Sequence, residues 1–137
     1  MIFVLRAGLR TVAVVLIVED DEQVRVMAES ILQDAGHETR SAATTAETQA
    51  IIESDEKIDV LFVDLTLVDH NEAGLHLAEG AAKFRPGLPV IYTTGRGITD
   101  GMHALFVEPN VFLAKPYRAE ELLTAISNAL NFDRPKD

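Results

Sequence analysis

Residues 58–64 constrain the fold more than any other segment of this chain. They form a short run rich in Val, Ile and Phe that ends on the carboxylate of Asp64. A run of this length and composition is typical of a strand that is buried on both faces of a parallel sheet. In open α/β folds, the carboxyl ends of parallel strands form the edge that binds ligands. Asp64 is therefore a candidate site residue, and its partners are expected at the ends of the other strands.

Strand and helix patterns alternate along the chain. Strands are predicted at residues 12–18, 37–41, 58–64, 90–93 and 111–114. Helices are predicted at residues 24–35, 46–54, 74–84, 98–108 and 119–130. The fourth helix pattern is weak and carries Gly101, so that helix is expected to be short or mobile. This alternation predicts a parallel sheet with right-handed crossovers and helices on both faces.

Two of the helix patterns define an apolar face by their spacing. In the first helix, Met27, Ala28 and Ile31 share one face. In the third helix, Leu77 and Phe84 fall on one face together with an alanine between them. These faces are expected to point toward the sheet.

The composition sets limits on the class of protein. The 137 residues suffice for one domain and are too few for two ordinary ones. The absence of cysteine excludes disulfides and thiol catalysis, and the net charge of −10 disfavours nucleic-acid binding. Residues 1–18 are mostly apolar, but Arg6 and Arg10 disfavour a membrane span or an export signal. We therefore expect a cytoplasmic protein with an extension (residues 1–11), one domain (12–131) and a tail (132–137).

Polar groups follow four of the five predicted strands. Glu19 and Asp20 follow the first strand, Asp64 ends the third, Thr94 follows the fourth, and Lys115 follows the fifth. Because parallel strands share one carboxyl edge, these groups should converge there. Three crowded carboxylates repel one another unless a cation lies between them, and oxygen ligands without cysteine or paired histidine favour Mg²⁺ over zinc. A carboxylate beside Mg²⁺ can attack a phosphoryl group, with the lysine neutralising its oxygens and the threonine donating a hydrogen bond.

Each of these elements alone is a weak signal, but their joint placement resembles the response-regulator receiver family of two-component signalling. The resemblance covers residues 12–130. The segments that carry it are residues 15–22, 60–65, 90–95 and 112–117. It implies a five-stranded flavodoxin-like fold, with helices on both faces and the strand order 2-1-3-4-5.

The resemblance also implies roles for the acidic residues. Asp64 would be the phosphoacceptor of an aspartyl-phosphate switch. Glu19, Asp20 and Asp64 would hold Mg²⁺, or Mn²⁺ in its place. The backbone carbonyl of Thr66 would complete the protein ligands of that metal.

Other residues match positions of the family that sense or tune the phosphoryl group. Thr94 would be the switch hydroxyl, and Lys115 would contact the phosphoryl oxygens. Phe112 matches the aromatic switch position. Thr66 and Arg96 occupy positions that tune the lifetime of the phosphoryl group.

The partner expected from the resemblance is a histidine kinase or a histidine phosphotransfer protein. The output would be a protein–protein contact, without direct binding to nucleic acid or membrane, and a homodimer through the last helix is plausible. Since the chain ends soon after that helix, it would be a stand-alone regulator or part of a larger regulator or hybrid kinase. No enzyme activity is expected beyond the domain's own phosphorylation and dephosphorylation.

Two rival functions remain open at this point. The first is a receiver-like interaction module that works without phosphorylation. It is kept open by the loop after Asp64, where Val68 stands at the family's usual proline position and the path to Gly74 is slightly longer. The second is a phosphatase or phosphotransferase, in which a second acid often stands where this chain has Thr66.

The four histidines share no metal-ligand spacing, and we expect them at the surface or in loops. They are His37, His70, His76 and His103.

Overall fold

The computed structural model describes residues 12–67 and 73–131, and five strands alternate with five helices in this part of the chain. The strands are β1 (Val14–Val18), β2 (Glu38–Ala42), β3 (Val60–Asp64), β4 (Val90–Thr94) and β5 (Asn110–Ala114). The helices are α1 (Glu22–Asp34), α2 (Thr45–Ile52), α3 (Ala73–Phe84), α4 (Asp100–Ala104) and α5 (Ala119–Leu130). The predicted extension, the predicted tail, and the loop with Val68 and His70 lie outside the described residues.

The strands form one sheet in the order β2-β1-β3-β4-β5, and every neighbouring pair is parallel. This confirms the predicted flavodoxin-like order. All residues of β1, β3 and β4 are buried, as expected for strands covered by helices on both faces. β2 and β5 are the edge strands and are more exposed.

Alternate residues of each central strand point to two separate core layers. In β1, Leu16 packs in the layer under α2 and α3, whereas Ile17 packs in the layer under α1 and α5. In β3, Val63 belongs to the first layer and Phe62 to the second. Helices therefore pack on both faces of the sheet, and this packing fixes the position of its carboxyl edge.

The apolar faces of two helices differ from the predicted ones in detail. In α1 the buried residues are Ala28 and Leu32, whereas the side of Met27 is open and that residue is 54% exposed. In α3, Phe84 at the last position is 59% exposed. Both residues lie beside the buried stripe of their helix rather than within it, and their side chains therefore remain open to solvent.

α4 is short, as the sequence predicted. It spans Asp100–Ala104, begins where the Thr99 hydroxyl accepts a hydrogen bond from the Met102 amide (3.0 Å), and has no buried residue. Phe106, just after the helix, is 7% exposed and packs its ring on Tyr92 with ring centroids 3.9 Å apart. The ring contact of Phe106 with Tyr92, together with the packing of Met102 and Val107 against the same core layer, holds this region to the sheet.

Across the described part of the chain, every helix is too short or too polar to cross a lipid bilayer.

Candidate functional site

Glu19 and Asp64 stand side by side because their strands are neighbours in register. Val18 of β1 pairs with Val63 of β3, so the residues that follow them, Glu19 and Asp64, reach the same level of the sheet edge. Carboxylate oxygens of Glu19, Asp20 and Asp64 all lie within 4.8 Å of one another. Glu19 and Asp64 are only 4% and 5% exposed, whereas Asp20 is half-buried. The three acids that the sequence predicted to meet therefore form one cluster.

Lys115 bridges the two buried acids from the end of β5. Its Nζ lies 2.7 Å from Glu19 Oε1 and 2.9 Å from Asp64 Oδ2. Burial alone would lower the pKa of Lys115, but the hydrogen bonds and charges of Glu19 and Asp64 outweigh burial and raise that pKa. Lys115 is thus a fixed ammonium at the mouth of the cluster.

One ammonium does not fully compensate the acids. Burial raises the pKa of Glu19, and the charge of Asp64 raises it further, while the hydrogen bond from Lys115 and the amide of Asp21 oppose both effects. The ionised cluster is therefore electrostatically costly, and a second cation would relieve it. A set of carboxylate oxygens matches the hard ligands that Mg²⁺ takes, so the residues present fit that ion.

Hydrogen bonds hold the acidic groups in place. Asp64 Oδ1 accepts from the amide of Thr66 (2.9 Å), which leaves its other oxygen to Lys115. Arg25 of α1 donates through Nη1 to the carbonyl oxygen of Glu19 (2.9 Å) and so ties the helix to the end of β1. Asp21, which follows the acid pair, caps α1 by accepting from the amides of its first turn. Arg25 could not be predicted from the sequence, because its partner is a backbone atom that no sequence motif records.

The predicted switch residues lie on the neighbouring strands. Thr94 is 3% exposed at the end of β4, and its hydroxyl oxygen accepts from the amide of Arg96 (3.2 Å). No acceptor for the hydroxyl proton of Thr94 is found among the described residues, so that proton can be donated to a ligand at the sheet edge. Arg96 is exposed. Phe112 of β5 is 37% exposed, and its ring centroid lies 6.4 Å from that of Phe106.

A second buried hydroxyl next to the cluster was also missed. Thr93 lies directly across from Asp64 in the β3–β4 pair and is 2% exposed. In the sequence, Thr93 is one of several β-branched residues of a buried strand. Only the strand register shows that it lies beside Asp64.

The histidines do not form a metal site in the described part of the chain, but one of them is more structured than predicted. His37 is half-buried in the turn before β2, and its Nδ1 accepts a hydrogen bond from the amide of Ala13 (3.0 Å). His76 and His103 lie on helices.

Comparison with known proteins places this fold and site in a family. The family model of the response regulator receiver domain matches residues 15–127. An NtrX-like response regulator of Rickettsia bellii is 27% identical over 123 residues, which are 89% of this chain and 26% of that protein. The chain thus spans about a quarter of the length of that relative.

Solved structures give the same picture. A CheY-like receiver domain protein of Methanospirillum hungatei is 30% identical, with a TM-score of 0.77 over 88% of this chain and 94% of the other. A receiver protein of Sinorhizobium medicae, at 24% identity, shares the fold with a TM-score of 0.81, covering 90% of this chain and 98% of the other. Taken with the match over residues 15–127, these findings show that the chain belongs to the response regulator receiver domain family.

Proposed function

We propose that this chain accepts a phosphoryl group on Asp64 from a histidine kinase or a histidine phosphotransfer protein. The reaction depends on Mg²⁺, for which Mn²⁺ can substitute. One observation supports the proposal: Asp64 is buried at the sheet edge beside two other acids, and its two oxygens accept hydrogen bonds from Lys115 and the Thr66 amide. The phosphoacceptor domain itself corresponds to residues 12–131.

The chemistry is a transfer between two phosphoryl carriers. A carboxylate oxygen of Asp64 forms the new P–O bond, while the P–N bond of the donor breaks and its electron pair returns to the imidazole ring. Glu19, Asp20, Asp64 and the carbonyl of Thr66 would hold Mg²⁺, which when bound would supply positive charge to neutralise the phosphoryl oxygens. Lys115 leaves its bridge between the acids and contacts the same oxygens. The domain has no further substrate to turn over, so its only other reaction is its own dephosphorylation.

Phosphorylation then changes a surface of the domain. The phosphoryl group adds negative charge and acceptor oxygens beside β4, which draws the hydroxyl of Thr94 inward. Phe112, partly exposed on the adjacent strand, follows this movement and changes the surface formed by α4, β5 and α5. Thr66, whose amide donates to Asp64, and Arg96, whose amide donates to Thr94, set the lifetime of the phosphoryl group. The readout is contact with a protein partner.

Intact-mass spectrometry after incubation with acetyl phosphate and Mg²⁺ tests the acceptor. Wild type should gain one phosphoryl group, and the gain should disappear when a chelator removes the metal. Asp64→Asn should gain none. Asp55→Asn, which removes an exposed carboxylate in a loop, should behave as wild type.

A folded wild type that gains no phosphoryl group calls for a second measurement, because rapid hydrolysis would give the same result. Beryllofluoride forms a stable mimic of the aspartyl phosphate and separates the two cases. Failure to bind it in the presence of Mg²⁺ would reject the proposal. The chain would then be an interaction module that works without phosphorylation. Turnover of a generic phosphoester would instead support a phosphatase.

A further inference from the structure

Thr93 carries a buried hydroxyl that has no hydrogen-bond partner among the described residues. The side chain is 2% exposed, and Oγ1 itself is shielded from solvent. A buried hydroxyl without a partner is unfavourable, and valine would fill the same space without that cost. Thr48, another fully buried threonine, donates its hydroxyl to the carbonyl oxygen of Thr44 (2.8 Å). Thr93 is therefore a buried hydroxyl that would be stabilised by a hydrogen-bond partner additional to those in this arrangement of the described residues.

The strand register identifies Asp64 as a candidate partner of the Thr93 hydroxyl. Phe62 and Ile91 are paired across β3 and β4, and both side chains lie in the core layer under α1 and α5. Two residues further along each strand come Asp64 and Thr93, which are also paired and therefore point to the same face. On its other side Thr93 pairs with Leu113, which offers no polar side chain.

The oxygens of Asp64 are engaged in the present arrangement. Oδ1 accepts from the amide of Thr66, and Oδ2 accepts from Lys115. When Lys115 moves to the phosphoryl oxygens, Asp64 loses that donor. The Thr93 hydroxyl then lies in the adjacent position of the same face and can replace it by rotating about χ1.

We infer that Thr93 donates a hydrogen bond to Asp64 while the phosphoryl group is transferred, and so shortens the lifetime of the aspartyl phosphate. This rests on the proposed function of Asp64. In hydrolysis, water attacks phosphorus, the P–O bond to Asp64 breaks, and its electron pair returns to the Asp64 carboxylate as inorganic phosphate leaves. In a loose transition state that carboxylate already carries most of its charge, so a donor beside it stabilises the transition state more than the neutral acyl phosphate.

The same donor acts on formation of the aspartyl phosphate. Before the reaction, the Asp64 carboxylate accepts a hydrogen bond from Lys115. Once Lys115 contacts the incoming phosphoryl group, Asp64 needs another hydrogen-bond donor. Removal of the hydroxyl therefore slows both phosphorylation and dephosphorylation. A purely space-filling threonine would affect neither rate when replaced by valine, which has the same shape.

The test uses five proteins: wild type, Thr93→Val, Thr93→Ala, Thr93→Ser and Thr48→Val. Each is phosphorylated with acetyl phosphate and Mg²⁺, desalted, and followed by intact mass to give the half-life of the phosphoryl group. Thr93→Val and Thr93→Ala should lengthen that half-life by about two- to tenfold, the range expected for one net hydrogen bond. Thr93→Ser should retain the wild-type half-life because it retains the hydroxyl.

Urea unfolding of the same proteins separates chemistry from stability. Thr93→Val should be no less stable than wild type, since it removes an unpartnered hydroxyl. Thr48→Val should be less stable, because it breaks the bond to Thr44, yet its phosphoryl half-life should be unchanged. Wild-type half-lives in both Thr93→Val and Thr93→Ala would overturn the inference and leave Asp64 as the acceptor. Absence of any adduct on wild type and of beryllofluoride binding would overturn the proposed function, and the inference with it.

Discussion

Glu19 is a buried carboxylate whose charge is only partly compensated by Lys115. Its pKa is raised from 4.5 by burial and by Asp64, so the folded protein binds the proton of Glu19 more tightly than the unfolded chain does. The cost of ionising it is absent below pH 4.5 and grows as the pH rises through the folded pKa. Glu19→Gln removes that charge, and we predict a higher free energy of unfolding at pH 7 without Mg²⁺.

Urea unfolding in a chelating buffer at pH 7 and at pH 4.5 measures this effect. The gain of Glu19→Gln over wild type should be larger at the higher pH. Glu38→Gln serves as the control, because the Glu38 side chain on edge strand β2 is 61% exposed and its replacement should change little. A Glu19→Gln protein less stable than wild type at pH 7 would show that the hydrogen bond to Lys115 outweighs the cost of the charge.

The same residue links metal binding to stability. A ligand that binds only the folded state raises the free energy of unfolding in proportion to the logarithm of its concentration above Kd. Mg²⁺ should therefore stabilise wild type. Because Glu19→Gln loses one charged ligand, it should need an Mg²⁺ concentration at least about tenfold higher for the same increase in the free energy of unfolding. Unfolding midpoints over a Mg²⁺ series at constant ionic strength measure the shift. Equal midpoint shifts in both proteins would place the ion elsewhere.

At the scale of the elements, the start of α3 lies against the end of β3. A Cβ atom added at Gly74 would lie 2.3 Å from the Asp64 carbonyl oxygen and 2.7 Å from the Leu65 Cα, both of which are backbone atoms. Gly74→Ala must therefore displace the helix or the strand end that carries the acceptor. We predict a loss of about 1–3 kcal/mol, the usual cost of overpacking, together with slower phosphorylation.

Gly80 provides a matched control in the same helix. A Cβ atom there meets nothing within 4 Å, so Gly80→Ala should stabilise α3 by about 0.5–1 kcal/mol through helix propensity alone. Urea unfolding and the rate of phosphorylation by acetyl phosphate should be measured for both variants. A Gly74→Ala protein that keeps wild-type stability and rate would show that α3 and β3 are not rigidly coupled.

The elements also show what the sequence could predict. The buried strands β3 and β4 were predicted from their apolar composition alone, and α5 was predicted with the observed bounds. β2 was predicted mainly from its place in the alternation, because its sequence is polar and it lies at the edge of the sheet. Helical spacing identified the apolar side of α1 but not its centre, since periodicity does not tell which neighbouring residue faces the sheet.

Some residues of the site could be predicted from the sequence and others could not. Glu19, Asp20 and Asp64 were predicted together because their strands end in acids and parallel strands share one edge. Thr93 and Arg25 were missed because their significance depends on a paired strand and on a carbonyl oxygen, which only coordinates reveal.

At the scale of the whole molecule, two titrating groups at opposite ends of β1 pull stability in opposite directions. His37 lies at the amino end, where its Nδ1 accepts from the Ala13 amide, and burial lowers the pKa of His37 from 6.5. Its neutral form is required for that bond. The stabilisation that this hydrogen bond gives to the folded state is therefore fully present above pH 6.5 and is lost as the pH falls through the pKa of His37 in the folded protein. Glu19, at the carboxyl end, has the opposite sign, since its cost grows as the pH rises above 4.5.

These slopes oppose each other between pH 4.5 and pH 6.5 in wild type, and they predict opposite changes in the pH dependence of the unfolding free energy in two variants. His37→Gln removes the histidine titration, so its stability relative to wild type should fall as the pH rises through this window. Glu19→Gln removes the carboxylate titration, so its relative stability should rise. His76→Gln is the control, because the His76 side chain is 76% exposed and its replacement should not tilt the profile. Urea unfolding at half-unit pH intervals, in a chelating buffer, measures all four proteins. Parallel profiles for His37→Gln and wild type would show that protonation of His37 does not change the free energy of unfolding, and would remove the amino end of the sheet from the pH response.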